Sequence, residues 1–140
     1  MPSRPVSLRL PEHVRSAIAE SARRARRDFS SVANEMLDEA VKMRRVPGIV
    51  FPDSPAGGRV ARIAGTGLEV YEVIGGFRAM GDDWERFKEA YHWLSEYQLR
   101  AALAYAQAYP TEVDEQIEEN ERWTSSVVQA NHPILRRPGP

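Results

Sequence analysis

The chain has 140 residues, 42% of them hydrophobic and 28% charged, enough for one ordinary domain or two small ones. It holds no cysteine, which excludes disulfides and thiolate metal sites, and no apolar run approaches the roughly 18 to 20 residues of a membrane span. The formal net charge of −1 hides a division: residues 1–45 carry ten Lys or Arg against six Asp or Glu, residues 46–123 seven against fourteen, and residues 124–140 two arginines and no acid.

Val6, Leu8 and Leu10 alternate with Ser7 and Arg9, so the spacing predicts a strand with aliphatics on one face and polar or cationic groups on the other. One strand has nothing to pair with. A second copy supplies the ladder, and a two-stranded antiparallel ribbon fits the DNA major groove. Pro11 then opens a helix, where its missing N–H is no loss. Its narrow stripe is Val14, Ala17, Ile18, Ser21, Ala22 and Ala25, ending near Arg27. Asp28 and Phe29 read as the turn. Ser30 is the expected N-cap of a second helix, striped by Val32, Ala33, Met36, Leu37, Ala40 and Val41 and running to about Arg45. Pro47 and Gly48 stop it.

The V-S-L-R-L strand with proline behind it, the short first helix and the serine-capped second helix resemble the ribbon-helix-helix family of DNA-binding proteins over residues 4–45. The resemblance implies an obligate dimer whose outward strand residues read base edges and whose second helix aims its N-terminus at a phosphate. By position, Ser7 and Arg9 become the base readers. Pro5 holds the third outward position, often polar or basic in relatives. Arginine can donate two hydrogen bonds to guanine, a pairing that discriminates by about 1–3 kcal/mol. Arg4 is placed to meet a backbone phosphate, and the amides of Ser31 and Val32 with the Ser30 hydroxyl form an anion site. Val6, Leu8, Leu10, Val32, Met36 and Leu37 are the expected dimer contacts. The Arg23, Arg24, Arg26 and Arg27 cluster, at the far end of the first helix, reads as a solvated face that favours the helix dipole.

Beyond Pro47, Ile49 to Phe51 open a turn-rich linker or irregular entry. Val60 to Ile63 and Leu68 to Val70 flank Ala64-Gly65-Thr66-Gly67 as a small hairpin or a strand-turn-helix start. Helical patterns follow over Tyr71 to Ala79, Trp84 to Tyr91 capped by Asp82 or Asp83, Glu96 to Tyr109 capped by Ser95, and about Thr111 to Trp123. Residues 124–140 show no helical period and read as a tail that is either disordered or ordered by a partner. The fold class expected is therefore mainly α: an N-terminal ribbon-helix-helix domain over residues 1–45, then a small helix-turn-helix-like domain with a short β-hairpin over residues 46–123, then the tail. His13, His92 and His132 are far apart, and no catalytic triad, phosphate loop or metal-ligand spacing occurs. Neither enzyme chemistry nor a metal or cofactor is expected.

R-I-A-G-T-G-L-E-V, E-A-Y-H-W-L-S-E-Y-Q-L-R-A-A-L-A-Y-A and Y-P-T-E-V-D-E-Q-I-E-E-N-E resemble a small bacterial family catalogued as domain-of-unknown-function family 433, over residues 49 to about 122. Gly67 and His92 stand where relatives usually have arginine and proline. Members of that family look like antitoxins, of the VapB type, encoded beside a PIN-like ribonuclease toxin. The resemblance thus implies a type II antitoxin that represses its own operon as a DNA-bound dimer and neutralises the toxin through its C-terminal half. Trp93, Tyr97 and Trp123, with Ile134, Leu135, Arg136 and Arg137 of the tail, are the expected toxin contacts; the two arginines suit the acidic metal site of a PIN-type nuclease. A ligand-responsive or stand-alone ribbon-helix-helix repressor is the alternative. With no secretory h-region at its polar N-terminus, the protein is expected in the cytoplasm, associated with the nucleoid and with no membrane partner. Leu8→Asp should abolish both dimer and DNA binding, read by sedimentation and gel shift; a dimer that survives it is not held by this strand.

Overall fold

The computed structural model describes residues 3–53 and 58–131, and the chain divides into two compact units, residues 1–42 and 43–140. Among the described residues there are six helices and one two-stranded antiparallel sheet. No helix is long and apolar enough to cross a membrane.

In the first unit, α1 (Glu12–Ala25) starts on Pro11, whose carbonyl accepts from the amides of Val14 and Arg15 at 3.0 Å each. It stops where Arg26 turns left-handed at φ 54°, which lets Arg27 N–H reach back to the Ala22 carbonyl at 3.0 Å and satisfy a terminal acceptor. The second helix, α2 (Phe29–Arg45), begins one residue before the expected cap. The stripe of α1 buries Ile18 and Ala22 against Val32, with Leu10, Val14 and Ala33 partly buried around them. Residues 3–10 form neither strand nor helix. A strand exists only by virtue of a ladder partner, and among the described residues this segment has none.

The second unit is built from its sheet outward. Gly48 turns the chain at φ 99°, a conformation that disfavours any side chain; a Cβ there would also lie 3.1 Å from that of Ala101 and 3.2 Å from the Tyr97 ring. Next comes β1 (Ile49–Val50), paired antiparallel with β2 (Arg62–Ile63) in the register Ile49↔Ile63 and Val50↔Arg62. The first of these strands is the stretch read from sequence as a linker. Its two residues are too few to show alternation, and its partner lies beyond an intervening loop. Around Gly65 the chain takes the strand-turn-helix form: the Thr66 hydroxyl donates to the Ile63 carbonyl at 2.8 Å and accepts from Leu68 N–H at 3.0 Å, and Arg62 bridges Glu69. The helix α3 (Val70–Ala79) follows at once.

Then come α4 (Trp84–Ala90) and α5 (Glu96–Ala108), separated by a five-residue turn. Asp83 caps the former by accepting from the amides of Glu85 and Arg86, and Ser95 with Gln98 forms a reciprocal capping box on the latter. The last helix, α6 (Pro110–Asn131), runs eight residues past its expected end at Trp123. Thr124, Ser125 and Ser126 are weak helix formers, yet nothing there breaks a helix. Packing joins α3 to α5 and α6, and α5 to both strands. Phe87, Tyr105, Ile63, Ile74, Leu99, Val70, Val73 and Val113 are the largest side chains wholly removed from water, each contributing about 1.5–3 kcal/mol where it is a simple hydrophobe.

Within α3, Gly76 allows close approach of Tyr91, whose hydroxyl would lie 2.7 Å from a Cβ there while its ring carbons stay at 3.6 Å. Gly76→Ala therefore sets overpacking of about 1–3 kcal/mol against a helix-propensity gain of about 1 kcal/mol. In a Tyr91→Phe background only the gain remains. Denaturant melts of the double-mutant cycle should give a coupling of about 1 kcal/mol or more; additive effects mean the two groups do not meet.

Candidate nucleic-acid and partner interfaces

Successive α-helical residues are about 100° apart, so Phe29, Ala33, Met36, Leu37, Ala40 and Val41 fall on one half of α2. That half is the open one: Phe29, Met36, Leu37 and Val41 are exposed, Leu37 at 54%, and Ala40 is exposed too. The covered edge carries Val32 and Glu39, the latter only 6% exposed. Of the six expected dimer contacts, Val6 (83% exposed), Leu8 (65%), Met36 and Leu37 lie open, while Leu10 is half-buried and Val32 is fully buried in the unit's own core. Val32 is thereby corrected from a surface contact to a core residue, because it faces Ile18 and Ala22 across the helix pair. Phe29, expected in the turn, is instead the first residue of α2 and joins this open half, two turns before Met36.

The proposed DNA readers Arg4, Ser7 and Arg9 are all exposed on residues 3–10. The start of α2 differs from expectation. Asp28, not Ser30, occupies the capping position, and its carboxylate accepts from the Ser31 hydroxyl and the Ser31 N–H. The Val32 N–H donates to the Asp28 carbonyl at 3.3 Å. Ser30 lies exposed in the first turn. The hydrogen bond from Ser31 holds the Asp28 carboxyl below its ordinary range, so this terminus already carries an anion of its own. The arginine cluster is similarly engaged: Arg23 and Arg24 pair with Glu20 at 2.5 and 3.1 Å, and Arg27 with Glu35 at 3.0 Å.

In the second unit, Trp93, Tyr97 and Trp123 are the exposed large aromatics among the described residues. Trp93 packs tilted against Tyr91 and edge-on against His92, with ring centres 5.4 Å away in each case. The first turn of α5 is a poor base reader. Gln98 is held by the capping box and donates to the Ala64 carbonyl at 3.2 Å, and Arg100 pairs with Glu96 at 2.9 Å while lying over the Trp84 ring at 4.8 Å. Ile134, Leu135, Arg136 and Arg137 lie outside the described residues. Among the described residues no group of three or more His, Cys, Asp or Glu is placed to hold a metal ion.

The model of a family described as "Protein of unknown function (DUF433)" matches residues 55–106. That span contains β2, α3, α4 and most of α5, the framework of the second unit, and leaves out the first unit and α6. No curated protein and no solved structure matches the chain.

Because the folded-state carboxyl of Asp28 titrates below its ordinary value of 3.8, its stabilisation is present above that pH and is lost as pH falls through the depressed value. Asp28→Ala should melt below wild type at neutral pH, with the gap closing in acid, measured by circular dichroism. A gap independent of pH would exclude the carboxylate as the cap.

Proposed function

We propose that the protein is an antitoxin of a type II toxin-antitoxin system: a homodimer that binds operator DNA in the major groove to repress its own operon, and that neutralises a PIN-like ribonuclease toxin through its C-terminal half. The observation that carries the dimeric head is the exposed apolar half of α2, where Phe29, Met36, Leu37 and Val41 lie open while only Val32 is buried in the unit's own core. The exposed aliphatics Val6 and Leu8 sit on a segment that is in neither strand nor helix, so one partner copy would satisfy both the ladder and the apolar half. Pairing two such segments turns Ser7 and Arg9 outward twice, one set per half-site. Discrimination between sequences then comes from the duplicated arginine, and Arg4 adds phosphate attraction without sequence preference.

With Asp28 already seated at the start of α2, a phosphate must displace that carboxylate or bind beyond it, which puts the weight of recognition on the strand. The toxin-binding role is supported by the acidic second unit and its exposed aromatics.

Arg9→Ala should keep the dimer and lose preference for the DNA upstream of the protein's own reading frame over random DNA, in gel shifts. Wild-type affinity should fall with salt at about 0.9 log units per log unit for each phosphate neutralised. Co-expression should restore growth of cells poisoned by the adjoining reading frame. Equal affinity for operator and random DNA in the wild type would sink the repressor reading, and an adjoining product that is harmless would sink the antitoxin reading.

A further inference from the structure

We propose that the outer half of α6, from Glu118 onward, is a docking surface for a cationic protein, with the Trp123 indole entering an apolar notch and the carboxylate of Glu119, one turn before it on the same side of the helix, facing lysines and arginines at its rim. Up to Ile117 the helix is held by its own unit: Val113 is fully buried and Ile117 packs on the core. From Glu118 to Ser126 every residue is exposed, and Trp123 is 68% exposed among them. The positions that pack, 113 and 117, are followed on the same face by the polar Asn120 and Thr124, so the packed stripe ends at Ile117 and Trp123, on the neighbouring side, is the large apolar group that the outer turns present. A helical stretch of this length is marginal in water without tertiary contacts, and an indole on it is the kind of side chain that anchors interfaces.

Charge selects the occupant. Residues 110–131 carry six acids against Arg122 alone, a net of −5. Asp114 serves the fold by pairing with Arg78 at 2.7 Å, and Glu112 by accepting from the Tyr105 hydroxyl. Glu118, Glu119 and Glu121 are exposed and form no ion pair among the described residues. Such a field repels nucleic acid, an anionic membrane and a second copy of the same helix, and attracts a basic protein surface. The inference rests on reading the C-terminal half as a partner-binding module and is independent of the DNA-binding reading.

The test uses the full chain and, as probe, the purified product of the adjoining reading frame. Trp123→Ala should weaken the complex tenfold or more. Glu119→Lys should slow association, and amides from 118 onward should exchange more slowly in the complex. Both positions are exposed, and an unchanged melting curve confirms that each variant folds. A wild-type complex that neither variant weakens, and that leaves those amides unprotected, places the contact elsewhere and overturns the surface while sparing the partner reading. Absence of any wild-type complex overturns both. Self-association or nucleic-acid binding that Trp123→Ala abolishes assigns the face to one of those occupants instead and equally overturns it.

Discussion

The head depends on one constraint: α1 covers only one edge of the apolar stripe of α2. Val32 is buried against Ile18 and Ala22, while Phe29, Met36, Leu37 and Val41 face water. Covering them would be favourable by about 25 cal/mol for every Å² of apolar surface removed, so the open half suits a partner. A 42-residue unit is close to the size below which chains need disulfides, metals or oligomerisation. The chain has no cysteine, and its own core in this unit is three buried side chains with a partly buried rim. Association with a second copy is the remedy that the exposed residues themselves supply.

The second unit meets no such constraint. Its wholly buried side chains come from β2, α3, α4, α5 and α6 together, and α3 is the hub, packing on α4, α5 and α6. Local hydrogen bonds close the connections: Thr66 in the turn before α3, Asp83 on α4, and Ser95 with Gln98 on α5. Gln98 joins two of these connections. Its carbonyl accepts from the Ser95 amide and its NH₂ donates to the Ala64 carbonyl, tying the start of α5 to the turn before α3.

Local signals were legible where one residue decides an element. Asp83 and Ser95 as caps, Pro11 before α1 and the turn at Gly48 follow from side-chain and backbone chemistry within a few residues. Two features were concealed for different reasons. The strand β1 is two residues long and defined by pairing across a long interval, so no local pattern marks it. The outer turns of α6 lack apolar periodicity because nothing packs against them, and periodicity records packing rather than helicity. At the start of α2, aspartate and serine are comparable caps, and sequence alone could not choose between Asp28 and Ser30. That choice decides whether an anion site is open or already filled.

The same distinction between charge present and charge available applies to the basic head. Arg15 pairs with Glu12, Arg23 and Arg24 with Glu20, Arg27 with Glu35 and Lys42 with Asp38, so much of its cationic content is balanced within one or two helical turns. At a Debye length of about 8 Å, such pairs present little field to a duplex. Arg4 and Arg9 stand outside these pairs on the exposed N-terminal segment. A net positive head therefore exerts its attraction from the segment that also lacks a ladder partner. Dimerisation through that segment would bring the uncompensated cations of two chains onto one ribbon, so that the event completing the fold also concentrates the charge.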